Sequence, residues 1–336
     1  MKSIEKAHQL TAYLAEKGLL SPGETPKITY MSGGVSGIVA LAETEKGLLL
    51  VKQALAKLNV KADWECDVRR IEVEHDALTL YAGIVPACVP KPVMYDQKNC
   101  IMVREAAPAS CDTWKSELLR GVIRPQIADA AIDSLARVHQ YTAVHREAYG
   151  RFRDQTFFDD LRLKPYILHL LGKYPELTEP AREQVRMLRE SPVALIHGDY
   201  SPKNIMVDGD RIYIVDMEVA CYSHPAFDLA FFMNHFFLKS IHLPDHRDDF
   251  LALVRRMMDR YLHIAAYLPP EEIEGAAVKL LGFMLLARVD GKSPAEYIVS
   301  EEEKERVRRL GMAVLRNSLR TFDAVIQEAK DEKEGL

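Results

Sequence analysis

Cysteine is sparse and unpatterned in this chain. Its five cysteines, Cys66, Cys88, Cys100, Cys111 and Cys221, form no CxxC pair and no tight metal-ligand spacing. A disulfide framework and a cysteine-built zinc site are therefore excluded as organising features, and reduced thiols in a cytoplasmic protein are expected. Long apolar runs are missing too. The most apolar stretch, 226–238, is too short to span a bilayer and carries Asp228 and His235. The N-terminus, MKSIEKAHQLTAYLAEKGLL, intersperses charges where a signal peptide would have an apolar core and a small-residue cleavage site. No membrane partner is expected. Nor is there an excess of positive charge: 44 Lys and Arg stand against 49 Asp and Glu, a net −5, which argues against nucleic acid as a partner. Internal repeats and low-complexity tracts are absent.

What is present changes character along the chain. After an N-terminal helix (Ile4, Leu10, Leu14), residues 25–53 read as three strands: 25–31, then 39–43, then 48–53 behind the TEKG turn. Residues 64–82 have helical spacing through Val68, Ile71, Leu78 and Tyr81, and two more strands fit 87–95 and 99–103. From Asp112 onward the pattern is mostly helical. Pro125 opens a helix along Ile127, Ala131, Leu135 and Val138, with further helices near 157–173, 179–190, 226–241, 246–266, 271–289 and 301–329. The one β-like segment expected in this half is the pair 205–207 and 211–215. The change of pattern divides the chain into 1–105, an antiparallel sheet with one main helix, and 106–330, a larger helical part; 331–336 reads as a disordered tail.

The chemistry concentrates in 195–229, LIHGDYSPKNIMVDGDRIYIVDMEVACYSHPAFDL. An HxD loop, an asparagine five residues on and a carboxylate at a strand end form the base-and-metal arrangement that moves a phosphoryl group from ATP. In it Asp199 is the expected base or hydroxyl-orienting group. Asn204 and Asp216 are expected to hold Mg2+, a hard cation suited to amide and carboxylate oxygens, with Glu218 two residues beyond on the same side. Lys203 is placed either near the transferred phosphate or in solvent. His197 and Asp228 are expected to brace the loop backbone, since Asp228 opens a helix apolar nearly all round and needs hydrogen bonds there. Lys52, in the third strand, is expected to grip the ATP phosphates, with Glu74 as its orienting partner and Glu72 as the alternative. The SGGVSG turn supplies Gly33, Gly34 and Ser36 as phosphate contacts, although such a turn is often only a turn.

These residues resemble the aminoglycoside phosphotransferase and choline kinase-like family. HGDYSPKN is similar to that family's HGDxxxxN, and VDMEVACYSHPAFDLA to its IDxE…DxA segment. Within the family the methylthioribose kinases are nearest, through VKQALAKL, the following Trp64, RRIEVEHDAL and VDME, over roughly residues 28–238. Their HGDLHTGS loop differs in lacking the asparagine kept here as Asn204.

The resemblance implies an α+β, protein-kinase-like two-lobed fold, with a small antiparallel β-sheet lobe carrying one main helix and a larger, mostly helical lobe. It also implies ATP and Mg2+ as cofactors and a small-molecule hydroxyl as acceptor. Adenine would meet the backbone of Glu105 and Ala107 in the segment after the fifth strand, and Arg288 is the candidate substrate contact. Methylthioribose, an aminoglycoside, and choline or another amino alcohol are the acceptors the resemblance suggests. A homodimer is compatible with the sequence. The rival from another class, a regulatory pseudokinase, would be expected to lack the base, the asparagine or the metal acid, and all three are present.

Overall fold

The computed structural model describes residues 2–31, 37–54, 67–108, 110–317 and 319–331. The chain forms two compact units, Met1–Cys111 with Tyr213–Glu218, and Asp112–Ile212 with Val219–Leu336.

The first unit contains α1 (Ala7–Glu16), β1 (Lys27–Tyr30), β2 (Gly37–Thr44), β3 (Gly47–Ala54), α2 (Arg70–Ile84), β4 (Pro92–Asp96) and β5 (Ile101–Glu105). The strands pair antiparallel in the order β1-β2-β3-β5-β4. Because side chains alternate along a strand, GLLLVKQA turns Leu49 and Val51 to one face. There they join Ala40 and Ala42 of β2, Ile101 and Val103 of β5, and Leu10, Tyr13 and Leu14 of α1. On the other face Ala54 and Met102 pack on Ile71 of α2. Lys52 is opposite Met102 in the register and so shares that second face. β2 begins at a residue that must be glycine: a Cβ on Gly37 would fall 2.2 Å from the Gln53 carbonyl oxygen. The expected glycine-turn contacts Gly33, Gly34 and Ser36, and Trp64, lie outside the described residues.

The second unit opens with β6 (Asp112–Thr113), α3 (Trp114–Leu119) and α4 (Pro125–Val144). Short turns follow, among them α5 (Tyr149–Phe152), α6 (Thr156–Phe158) and α7 (Lys164–Tyr166), and then α8 (Thr178–Glu190). Strands β7 (Ala194–Ile196), β8 (Ile205–Asp208), β9 (Arg211–Ile214) and β10 (Cys221–Ser223) frame the loops. Helices α9 (Ala226–His242), α10 (Arg247–Ile264), α11 (Pro270–Asp290), α12 (Glu301–Arg316) and α13 (Phe322–Asp331) complete it. α9 is buried from Ala226 to Ile241 and packs on α10, α11 and α12. It has no polar face because it has no solvent face. Its Phe232 meets Trp114 at 5.9 Å and Tyr200 at 5.0 Å between ring centroids.

Several expectations are corrected. The helix expected over 157–173 is a series of short turns, including a π-turn at Asp159–Leu163. The helix expected over 301–329 breaks after Arg316 and resumes at Phe322. Three strands besides the expected pair occur in this half: β10 pairs antiparallel with β7, and β6 with β8. Each is two or three residues long, too short to carry a period of two. β9 runs out of the helical unit at Tyr213, so residues 213–218 belong with the first unit, a return no linear boundary expresses. Among the described residues no helix is long and apolar enough to cross a membrane.

Truncating the aromatic centre of α9 tests this core. Phe232→Ala should cost roughly 3–5 kcal/mol, the range for a fully buried aromatic. Urea unfolding measures it, and a loss under about 1 kcal/mol would mean that the helix is not the centre it looks to be.

Candidate active site

In the first unit the site is a lysine among carboxylates. Lys52 Nζ lies 2.5 Å from Glu74 Oε2, 3.2 Å from Asp216 Oδ1 and 3.9 Å from Glu218 Oε2. Glu74 is the partner because it falls on the buried stripe of α2, Ile71–Glu74–Leu78–Tyr81, which faces the strand bearing Lys52. Glu72 is off that stripe, and Gln97 donates to it at 3.5 Å. Burial works against the charge on Lys52, but Glu74, then Asp216 and Glu218, outweigh it and hold its pKa above the ordinary lysine value. Glu218 is pushed the other way for a carboxyl: burial raises its pKa, Lys52 opposes this, and Asp216 and Glu74 add to it. Arg70 Nε, itself buried, lies 3.7 Å from Glu218. Asp216 has φ +67°, a left-handed conformation rare outside glycine. Such strain concentrates at functional positions.

The second unit holds the HGD loop. β7 buries Ala194–Ile196 and delivers His197, Gly198 and Asp199 at its end. Asp228, with no exposed surface, accepts the His197 N–H at 2.7 Å on Oδ2 and the Gly198 N–H at 2.9 Å on Oδ1. His139 Nε2 approaches the same Oδ2 at 3.3 Å, and its Nδ1 lies 2.8 Å from the Tyr261 hydroxyl. A carboxylate acceptor calls for the proton on Nε2, which leaves Nδ1 to accept from Tyr261. Gly198 has φ +75°, and a Cβ there would sit 2.9 Å from Val219 Cγ2 and from the Val219 carbonyl oxygen. Only glycine fits.

Asp199 is buried, and its Oδ2 receives three donors. Asn204 Nδ2 donates at 2.8 Å, while Arg162 Nη2 and Lys203 Nζ each lie at 3.0 Å. Asn204 also donates to the Asp199 carbonyl at 3.0 Å, and Arg162 Nε to the Gly198 carbonyl at 2.7 Å. The turn Pro202–Asn204 folds the asparagine back onto the aspartate. Arg162 carries no sequence signal, because the tertiary fold alone brings 162 to 199, and the same holds for His139, the partner of Asp228. Elsewhere Glu105 is exposed at the end of β5, with its carbonyl accepting from Arg104 Nη1 at 3.0 Å, and Ala107 is half-buried beyond it. Arg288, at the end of α11, donates through Nη1 to Ser293 O at 2.5 Å.

A sequence model described as the phosphotransferase enzyme family matches residues 32–241. The chain belongs to that family. Among curated proteins it is similar to methylthioribose kinase 1 of Oryza sativa subsp. japonica, 25% identical over 252 residues that cover 66% of this chain and 58% of that one. It is likewise similar to methylthioribose kinase of Pectobacterium carotovorum subsp. carotovorum (strain PC1), 25% identical over 235 residues covering 60% and 57%. The chain thus spans less than two thirds of the length of these relatives. Among solved structures it resembles a choline/ethanolamine kinase family protein from Mesorhizobium loti, with TM-score 0.55 at 18% identity, covering 95% of this chain and 99% of that one. It also resembles the amicoumacin kinase hAmiN in complex with AMP-PNP, Ca2+ and Ami, with TM-score 0.55 at 14% identity, covering 94% and 96%. These likenesses show a protein-kinase-like α+β fold.

For a member of this phosphotransferase family, the carboxylates beside Lys52 fit a divalent cation. Glu74, Asp216 and Glu218 each present an oxygen within 4.8 Å of the others, and Glu218 Oε2 is buried with no hydrogen-bond partner among the described residues. All-oxygen donors suit a hard cation such as Mg2+. Asn204, expected as a further cation ligand, donates to Asp199 through Nδ2, whereas the atom of an asparagine that meets a hard cation is its Oδ1.

The loop brace also sets a pH dependence. His224 accepts the Ala226 N–H on Nδ1 at 3.3 Å where α9 begins. Burial, with His139 nearby, brings its pKa from 6.5 down to about 4. Between those values the unfolded chain binds a proton that the native one refuses, so stability falls as pH drops through this window, by on the order of 3 kcal/mol. Urea unfolding at pH 7 and pH 4.5 measures the loss. His224→Asn should flatten it, and an unchanged slope in that variant would assign the loss to other groups.

Proposed function

We propose that this chain is a small-molecule kinase, transferring the γ-phosphoryl group of ATP to a hydroxyl in the presence of Mg2+. The observation that carries the reading is Asp199: a buried carboxylate whose Oδ2 is held by Arg162, Lys203 and Asn204, on a loop pinned by Asp228. Its orientation is set before any substrate arrives, and Oδ1 takes none of those three contacts. The acceptor O–H donates to Asp199, which aligns its oxygen with the γ-phosphorus. The bond from that phosphorus to the β,γ-bridging oxygen breaks, ADP leaves, and the hydroxyl proton passes to Asp199 and on to water.

Lys52 grips the α and β phosphates, with Glu74 holding its ammonium in place. Asp216 and Glu218 hold Mg2+, which when bound offsets the phosphate charge. Lys203 and Arg162 add positive charge beside Asp199. The backbone of Glu105 and Ala107 receives adenine. Catalysis is positioning and charge neutralisation. Methylthioribose is the acceptor that the names of the curated relatives suggest. Cys88, Cys100 and Cys221, which form no disulfide, support work in the reducing cytoplasm.

The test is ADP release over a panel of sugars, hydroxy acids, amino alcohols and aminoglycosides. Asp199→Asn should lower turnover roughly 10²–10⁴-fold, while AMP-PNP with Mg2+ still raises the melting temperature. Wild-type turnover in Asp199→Asn rejects the role of the loop. Lys52→Ala should raise the KM for ATP and lower kcat, and an unchanged KM removes Lys52 from the phosphate site.

A further inference from the structure

The helical unit contains a second polar cluster that phosphoryl transfer, as set out above, leaves unused. Lys239 on α9 has no exposed surface. Its ammonium donates to the His235 carbonyl at 3.3 Å and lies 5.2 Å from the centre of the Tyr297 ring. Among the described residues no carboxylate stands within 4 Å of it. Burial, helped by Lys115 and Arg288 and opposed by Glu296, lowers its pKa to about 7.

Around it, His235 Nε2, Arg288 Nε and the Tyr297 hydroxyl are each buried without a hydrogen-bond partner among the described residues. Glu296, the nearby carboxylate, is taken by Lys115. Unpaired buried donors of this number are costly, and a native fold keeps them where something else completes them. Arg288, Lys239 and Tyr297 present donors, and His235 presents one when Nε2 carries the proton. The matching ligand is acceptor-only and negatively charged.

The cluster is connected to Asp199. Arg162, which touches Asp199, lies 5.7 Å from the centre of the Phe231 ring. Phe231 in turn meets the His235 ring at 5.9 Å and the Tyr166 ring at 5.3 Å. The Tyr166 hydroxyl is 3.4 Å from Arg288 Nη1. Lys239 follows Phe231 by eight residues, roughly 12 Å along the helix.

We infer that Lys239, Arg288, His235 and Tyr297 bind an anionic group of the acceptor, a carboxylate or a phosphate, several bonds from the hydroxyl presented to Asp199. The acceptor is then a polyhydroxy acid or a sugar phosphate. A neutral sugar would leave the cluster unpaired, and a cationic aminoglycoside or choline would be repelled. This assignment rests on Asp199 being the hydroxyl-orienting group.

Calorimetric titration of the wild type, Lys239→Met and Arg288→Met without nucleotide tests it, using inorganic phosphate, D-gluconate and ribose 5-phosphate as probes. The wild type should bind gluconate or ribose 5-phosphate saturably, and which of the two binds separates a carboxylate from a phosphate. Each variant should weaken that binding by about tenfold or more. Lys239→Met should also melt higher, because a buried unpaired ammonium is gone; should it fail to fold, Arg288→Met carries the test.

Absence of saturable anion binding, or binding unchanged in both variants, overturns the inference. So does preferential phosphorylation of methylthioribose, choline or kanamycin with a KM that Arg288→Met leaves in place, an outcome that keeps the kinase reading intact. Anion binding lost in the variants, together with no AMP-PNP shift and no phosphoryl transfer in the wild type, supports the anion site and rejects the kinase.

Discussion

The helical unit turns on one buried carboxylate. Asp228 has no water to solvate it, and the two backbone N–H groups at His197 and Gly198 have no strand partner past the end of β7. Each solves the other's problem, since an unpaired buried charge and unpaired buried amides are both costly. The geometry that satisfies all of them places Asp199 at the turn. His139 and Tyr261 extend the brace outward, so loop position is tied to the packing of α10 against α4 and α9. A residue that never touches a reactant thus sets where the reactive one stands.

The other unit is organised by charge balance rather than by backbone pairing. Lys52 is nearly buried on a strand, where a lone ammonium would shed its proton, and three carboxylates prevent that. The carboxylates need the lysine as much, because Glu218 is already pushed toward its neutral form by burial and by its acidic neighbours. Such a cluster is poised to exchange partners. An anion would meet the lysine and a divalent cation the carboxylates, so neither partner of the cluster would be left bare.

The anionic-acceptor cluster follows a third logic. Three of its polar atoms, His235 Nε2, Arg288 Nε and the Tyr297 hydroxyl, are buried with no hydrogen-bond partner among the described residues. α9 is apolar almost throughout, and His235 and Lys239 are among its few buried polar side chains, with Asp228 and Asn234. From sequence they look like residues paired somewhere in the core, yet Lys239 meets only a backbone carbonyl and His235 Nε2 meets no partner among the described residues.

What the sequence determined by itself was local. The order HGD, PKN, VDxE lies within about twenty residues of loop and short strand, so spacing alone brings Asn204 back to Asp199. The alternation in GLLLVKQA is enough to set the sheet face that Lys52 occupies. The long helices are legible because their apolar periods span several turns. Tertiary structure decided the rest. It chose Glu74 over Glu72 by the stripe that α2 buries, and it carried Arg162 to Asp199 across a stretch of broken turns with no period to read. It also returned residues 213–218 to the first unit and left Lys239 without a counter-ion. The physical reason is common to all four: each depends on which surfaces are removed from water together, and that is a property of packing between distant segments, which no local spacing encodes.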